Sequence, residues 1–328
     1  MTNLEIEMQE GVEYLKKLKT APILEFIENI KEPVLVAAMG SSFYMPSGRG
    51  QAVINELKKH PDIRFVLASE GYNIDPKNYN SLVLMSNSGK TREVLALAKR
   101  FPREKVFAVT SSKSSPLGLA SGRTYLLQSG KEKAVAATKS IIEQAVVTEC
   151  LVRRLAGEEM LTSTLLKNVA KAMYHNISCE IDPRLLVLIS GARTVYFTGG
   201  SLGIGEEVAL KFNELAKKKT KYIPGTQILH GSEEVIEKGD VVFILFADRY
   251  KQYYDRFAQM KEKTGCYIFT IGNGNRLGEF SLDLELVDGF KPYCILSYFW
   301  NILTKFALMK GFSLDKGEKI VKVGVSAK

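Results

Sequence analysis

Metal-ligating and redox-active residues are scarce in this chain. Its 328 residues include four cysteines and three histidines. Cys150, Cys179, Cys266 and Cys294 form no C-x-x-C pair, so neither a zinc cluster nor a disulfide framework is expected. Free thiols suit a reducing cytosol, and a cytoplasmic location is expected. No uninterrupted apolar run approaches the about 18 residues that a membrane helix needs. The N-terminal segment MTNLEIEMQEGVEYLKKLKT is acidic at its start and has no apolar stretch of signal-peptide type. Membrane spanning and secretion are therefore disfavoured. No nucleic-acid-binding motif is present, and the Lys residues are scattered, often beside Glu or Asp.

What is present is ordinary globular composition, 45% apolar and 25% charged, with a net charge of +9. The length suits two domains of usual size. With no nucleic-acid or membrane signal, the basic balance favours a small anionic substrate. The densest basic run, Lys217-Lys218-Lys219, reads as a solvated helix end.

Strand and helix patterns alternate. Residues 4–29 carry helical periodicity. The apolar run Val34–Ala38 reads as a buried strand, followed by a Gly-Ser-Ser turn and a helix through Leu57. Further strands are expected at Phe65–Leu67, Ser81–Met85 and Val106–Thr110, with a helix over Glu93–Arg100. Two helical segments, about 132–156 and 163–182, occupy the middle, and Pro183 is expected to end the second. The pattern then recurs: a strand at Thr194–Thr198, a glycine-rich turn, a helix over Gly205–Lys218, a strand at Val241–Leu245, a helix over Tyr250–Lys263 and a strand at Tyr267–Ile271. The Val241 strand matches the Leu82 strand in place. This order predicts an α/β chain of two tandem doubly wound parallel-sheet domains, 1–180 and 181–328.

Ligands of open parallel sheets bind at the carboxyl ends of the strands. Two turns of the first half fall there, Gly40-Ser41-Ser42 and Ser86-Asn87-Ser88-Gly89-Lys90-Thr91. The second places three hydroxyls and a glycine just before a helix, where free N–H groups and partial positive charge favour a phosphate. The same residues also suit a plain N-cap turn.

The S-x-S-G-x-T turn, preceded by a G-[ST]-S turn at an earlier strand end, resembles the sugar-isomerase (SIS) family, whose fold is flavodoxin-like. There the serines and threonine hold a sugar phosphate. The resemblance puts Ser41, Ser42, Ser86, Ser88 and Thr91 in that role, with Asn87 where many members have Gln. Glu132–Lys139 resembles the family's E-x-x-V-A-[ST]-T-K sugar-site loop, which implicates Val135 and Ala137. The second half resembles the isomerase half of glucosamine-6-phosphate synthase. Glu207–Glu214 is similar to E-x-A-L-K-x-x-E, Leu229-His230-Gly231 to [KR]-H-G, and Asp315–Val323 to the C-terminal D-K-P-x-x-L-x-K ending. Steps of four and three put positions 207, 211 and 214 on one helical face.

This resemblance implies catalytic roles for Glu214, His230 and Lys322, with Lys211 among the substrate contacts. A carboxylate on a rigid helix suits proton transfer between C1 and C2 of a sugar. A histidine suits ring opening near neutral pH. A lysine can form a Schiff base with a ketose carbonyl. In the family the histidine comes from the neighbouring subunit, which implies a homodimer with shared sites. His60 and His175 are assigned no chemistry. Ala38, Met39, Ala137, Ser232 and Gly317 depart from the family pattern, which bears on substrate detail.

The synthase carries a glutaminase domain with a cysteine just after the initiator Met. Here position 2 is Thr and the SIS pattern begins at once. The expected reaction is therefore that of stand-alone archaeal-type deaminases: glucosamine 6-phosphate to fructose 6-phosphate and ammonia, with no metal or organic cofactor. Fructosamine-6-phosphate deglycation, aldose–ketose isomerisation and a non-catalytic sugar-phosphate sensor are the alternatives.

Overall fold

The computed structural model describes all residues except 202, 273–276, 281, 283, 316–318 and 320–328. The chain divides into two compact units, Met1–Lys171 with Asp315–Lys328, and Ala172–Leu314.

In the first unit, α1 (Asn3–Lys17) starts in a capping box. Thr2 Oγ1 accepts from the Glu5 N–H (3.3 Å), and Glu5 Oε2 accepts from the Thr2 N–H (2.7 Å). The periodicity over 4–29 resolves into two helices, because Pro22 lies in the first turn of α2 (Ala21–Ile27), the helix position that tolerates proline. Then come β1 (Val34–Ala38), α3 (Ser41–Glu56), β2 (Ile63–Leu67), β3 (Ser81–Met85), α4 (Arg92–Ala98), β4 (Val106–Thr110), α5 (Pro116–Ala120), β5 (Arg123–Leu126) and α6 (Lys139–Ala156). The strands are parallel in the order β2-β1-β3-β4-β5. β1, β3 and β4 are buried at every position, as strands covered on both faces must be. The middle helix starts at Lys139 and not near 132, because residues 132–138 form a loop that buried carboxylates hold.

The division between units falls inside α7 (Ser163–Ser178). Pro183 does not end this helix. It opens the next, α8 (Pro183–Gly191), where Asp182 accepts from the Arg184 N–H at 2.9 Å. The second unit continues with β6 (Thr194–Gly199), α9 (Ile204–Lys211), β7 (Lys219–Pro224), β8 (Val241–Leu245), α10 (Tyr254–Thr264), β9 (Tyr267–Ile271) and α11 (Lys291–Met309). Among the described residues its sheet is parallel in the order β7-β6-β8-β9. Thus β8 lies beside β6 as β3 lies beside β1, and the two sheets share one winding. Phe299 of α11 packs edge-on against Phe197, Phe212 and Phe243 at 5.5, 6.0 and 5.1 Å, and Phe197 stacks on Phe243 at 5.3 Å. Among the described residues no helix is long and apolar enough to cross a membrane.

Candidate active site

In the first unit the strand order reverses between β1 and β3, since chain order 1-2-3 becomes spatial order 2-1-3. The two serine turns leave the carboxyl ends of these adjacent strands, where ligands of such sheets bind. Ser41 and Ser42 begin α3 behind Gly40, whose φ of 54° permits the sharp reversal out of β1. α3 is pinned from below. Arg49, 1% exposed, donates from Nε and Nη2 to the buried Glu149 of α6 at 2.8 and 2.9 Å, and Arg153 Nε reaches the same carboxylate at 3.0 Å.

The second turn is knitted internally. Ser86 Oγ lies 2.9 Å from Thr91 Oγ1 and accepts from the Gly89 N–H at 3.1 Å. Ser88 Oγ accepts from the Lys90 N–H at 3.2 Å. The Asn87 carbonyl accepts from Ser111 Oγ (2.7 Å) and Thr110 Oγ1 (3.1 Å), which ties the turn to the end of β4. Ser86, Ser88 and Thr91 are thus gathered in one turn. Gly89 is left-handed at φ 62°, and a Cβ there would run into the Ser115 side chain. Gly89→Ala should cost about 1–3 kcal/mol of stability from backbone strain and crowding, read from urea unfolding. An unchanged midpoint would mean that the turn yields without cost.

Val135 and Ala137, both partly exposed, sit in a loop governed by two glutamates. Glu7 of α1 accepts from the Ala134 N–H at 3.1 Å and from the Lys133 N–H. Glu132 accepts from the Thr138 and Ser140 N–H groups at 2.6 and 3.1 Å. Lys139 Nζ reaches Glu10 of α1 at 2.6 Å. Burial raises the Glu132 pKa above its ordinary 4.5, and the N–H bonds from Ser140 and Thr138 oppose this without cancelling it. A carboxyl raised on folding contributes stability that is full below the unfolded pKa and is lost as pH rises through the folded one. Glu132→Gln keeps a neutral acceptor, so its melting temperature relative to wild type should climb as pH rises from about 4.5 toward 8. A difference that stays flat across that range would contradict the shift.

In the second unit the helix expected over Gly205–Lys218 is α-helical only to Lys211. Residues Phe212–Ala216 continue it as a π turn, and Lys217, at φ 51°, closes it. A π segment inside a helix run is a frequent mark of a functional position. Phe212 holds the turn in the aromatic core, 5.2 Å from Phe197. Glu214 projects from the turn with its side chain 19% exposed. Lys211, 1% exposed, places Nζ 2.8 Å from Glu214 and 3.3 Å from Glu207, which is fully buried. Burial pulls the Lys211 pKa down, but Glu207 and then Glu214 outweigh it and hold the pKa above the ordinary lysine value. Lys211 is therefore a charged strut between two carboxylates. Of the basic run only Lys219 enters β7. Lys217 lies over the Phe312 ring at 4.3 Å, and Lys218 Nζ donates to the Ser190 and Ala192 carbonyls at 2.7 and 2.6 Å, so the run is not simply a solvated helix end.

His230 is exposed and follows a short 3-10 turn, Gln227–Leu229. Arg256 of α10 steadies this loop by donating to the Leu229 carbonyl at 3.0 Å. Among the described residues no hydrogen bond or ion pair joins His230 to Glu214. Glu214 ends the helix run that leaves β6, whereas His230 lies beyond the carboxyl end of β7. Lys322 lies outside the described residues. The supports Glu7, Glu132, Arg49 and Arg256 were not among the residues expected from sequence. Of these, only Glu132 belongs to a motif that could have indicated it.

The chain matches no protein-family model. It is 24% identical over 309 residues to glutamine--fructose-6-phosphate aminotransferase [isomerizing] of Sulfurisphaera tokodaii, a match covering 92% of this chain and 51% of that protein. The chain spans about half the length of the curated relatives it matches. Among solved structures, the C-terminal domain of glucosamine-fructose-6-phosphate aminotransferase from Francisella tularensis superposes with a TM-score of 0.76 at 18% identity, covering 96% of this chain and 98% of that one. Glucosamine-6-phosphate deaminase from Thermotoga maritima gives 0.72 at 21% identity, covering 98% and 99%. The chain is thus similar in sequence, along nine-tenths of its length, to about half of these aminotransferases, and it shares the fold of the solved phosphosugar proteins.

Proposed function

We propose that this chain catalyses proton transfer between C1 and C2 of a hexose 6-phosphate, and specifically the hydrolytic deamination of glucosamine 6-phosphate to fructose 6-phosphate and ammonia. The observation that carries this reading is the Glu207–Lys211–Glu214 ladder. It fixes one partly exposed carboxylate, Glu214, on a π turn, while the cation beside it is buried and stays charged. A base held this rigidly suits a transfer between neighbouring carbons. The serine turns at the β1/β3 switch point supply hydroxyl and N–H donors for the 6-phosphate.

In this reading Ser41, Ser42, Ser86, Asn87, Ser88 and Thr91 bind the phosphate end, and Val135 and Ala137 border the sugar. His230 assists ring opening from a second copy of the chain in a homodimer. Glu214 takes the C2 proton of the open-chain amino sugar and, after exchange with solvent at its partly exposed carboxyl, delivers a proton to C1. The C2 imine so formed adds water and expels ammonia, leaving the ketone. Lys322 engages the ketose carbonyl. The Thermotoga maritima deaminase, which corresponds to this chain nearly end to end, supports deamination among the possible reactions.

The test is a panel of phosphosugars offered to the purified protein, with ammonia and fructose 6-phosphate both followed. Equal release of the two from glucosamine 6-phosphate supports deamination. Turnover confined to fructosamine 6-phosphate, or to aldose and ketose phosphates without ammonia, replaces it with deglycation or isomerisation. Binding without any turnover replaces it with a sensor.

A further inference from the structure

We propose that Glu7 of α1 is a positioning residue that sets the loop bearing Val135 and Ala137 against the sugar end of the ligand, a role that rests on the phosphosugar reading given above. A loop has no ladder to pair its backbone N–H groups, so side chains must supply the partners. The loop between β5 and α6 is paired by buried carboxylates. Glu143 of α6 accepts from the Gln128 N–H through Oε1 and from the Ser129 N–H through Oε2, at 2.8 Å each. Glu132 accepts from the Thr138 and Ser140 N–H groups, both through Oε1. Glu7 reaches the stretch between them from 126 residues away in sequence. Its Oε1 accepts from the Lys133 N–H and its Oε2 from the Ala134 N–H, the latter at 3.1 Å.

The helix that carries Glu7 is a fixed element. Its Leu4, Met8, Val12 and Leu15 are buried. It lies close against the start of α6 at Gly11, where an added Cβ would come within 3.1 Å of Ile142 and 3.2 Å of Lys139. Lys139 Nζ adds a tie to Glu10 at 2.6 Å. Glu7 passes this fixed position to the two residues just before Val135. From there burial alternates: Ala134 and Ala136 are fully buried, whereas Val135 and Ala137 are partly exposed. A slip at Lys133 and Ala134 therefore re-aims both exposed residues. The phosphate turn is held differently, by bonds within itself and to the end of β4. Loss of the Glu7 contacts should thus weaken the hold on the sugar and spare the hold on phosphate. The two glutamates also differ in what they tolerate. Both Glu7 oxygens face N–H donors, so a glutamine there aims its own NH2 at one of them. Glu132 meets its two backbone donors with one oxygen, which a glutamine keeps.

The experiment titrates wild type, Glu7→Gln, Glu7→Asp and Glu132→Gln by calorimetry with fructose 6-phosphate and, separately, with inorganic phosphate, all below their unfolding temperatures. Glu7→Gln should weaken fructose 6-phosphate about tenfold, leave inorganic phosphate within about threefold, and speed hydrogen exchange at the Lys133 and Ala134 amides. Glu7→Asp, which keeps both oxygens one methylene short, should fall between. Glu132→Gln should bind both ligands within about threefold of wild type. Wild-type affinity for fructose 6-phosphate in Glu7→Gln would overturn the proposal, because the loop then moves without consequence for the sugar. An equal loss for both ligands would also overturn it and make Glu7 a general prop of the fold. If Glu7→Gln does not fold, Glu7→Asp decides by the same two comparisons. A wild type that binds fructose 6-phosphate no more tightly than inorganic phosphate has no sugar contact for the loop to set, which likewise overturns it. Failure to release ammonia from glucosamine 6-phosphate, with fructose 6-phosphate still bound, defeats the deaminase reading alone, and the affinities still decide the role of Glu7.

Discussion

Glu214→Gln should retain the fold and bind fructose 6-phosphate much as wild type does, yet lose about 10²–10⁴-fold in kcat, the usual range for removing a general base. The separation of binding from turnover follows from the geometry. The residues assigned to the phosphate lie in the first unit, in turns that owe nothing to Glu214. The amide is nearly isosteric, and Lys211 keeps Glu207 as a buried partner at 3.3 Å. The change in stability should therefore stay within about 1 kcal/mol, because the lost pair is the partly exposed one. Isothermal calorimetry with fructose 6-phosphate and steady-state ammonia release measure the two halves. A mutant that turns over within a few-fold of wild type would remove Glu214 from the chemistry.

Lys211→Met should have the largest effect on stability, a loss of about 3–5 kcal/mol, the usual cost of breaking a buried ion pair by removing one side. The methionine fills much the same volume, so the cost is electrostatic. It removes the ammonium that faces Glu207, a side chain with no exposed surface. The double variant Glu207→Gln/Lys211→Met should recover part of the loss, because the buried negative charge goes as well. Both should depress kcat, since Glu214 loses the strut that orients it. Urea unfolding of the three proteins measures this. A Lys211→Met protein within about 1 kcal/mol of wild type would show that the cation is not what holds the ladder.

The strands that form the two cores were legible because burial on both faces demands continuous apolar runs. Val34–Ala38, Ser81–Met85, Val106–Thr110 and Val241–Leu245 fall where expected. Of the edge strands, β9 and much of β2 also fall where expected, but β7 and β5 were not foreseen. β7 reads Lys-Thr-Lys-Tyr-Ile-Pro and β5 reads Arg-Thr-Tyr-Leu, because an edge needs few apolar residues and its polar positions resemble loop. The spacing of Glu207, Lys211 and Glu214 correctly put them on one face, and the structure joins them. The π turn that presents Glu214 left no local mark, since it depends on Phe212 packing against residues far along the chain. The carboxylates Glu7, Glu132 and Glu143 illustrate the same limit. Glu143 accepts from the Gln128 and Ser129 N–H groups at 2.8 Å each, as Glu7 does from a loop more than a hundred residues away. A long-range bond from side chain to backbone has no periodicity to read, so the supports of the candidate site became visible only in three dimensions.

The proposed function stands or falls with proton transfer between C1 and C2 of a hexose 6-phosphate. Its most direct test is to incubate the purified protein with glucosamine 6-phosphate in deuterium oxide and examine the fructose 6-phosphate formed by NMR. Transfer through Glu214 should place deuterium at C1, with ammonia released in equal amount, and Glu214→Gln should give neither. Fructose 6-phosphate without solvent deuterium at C1 would argue against exchange at the carboxylate. The absence of both product and label would contradict the claim outright.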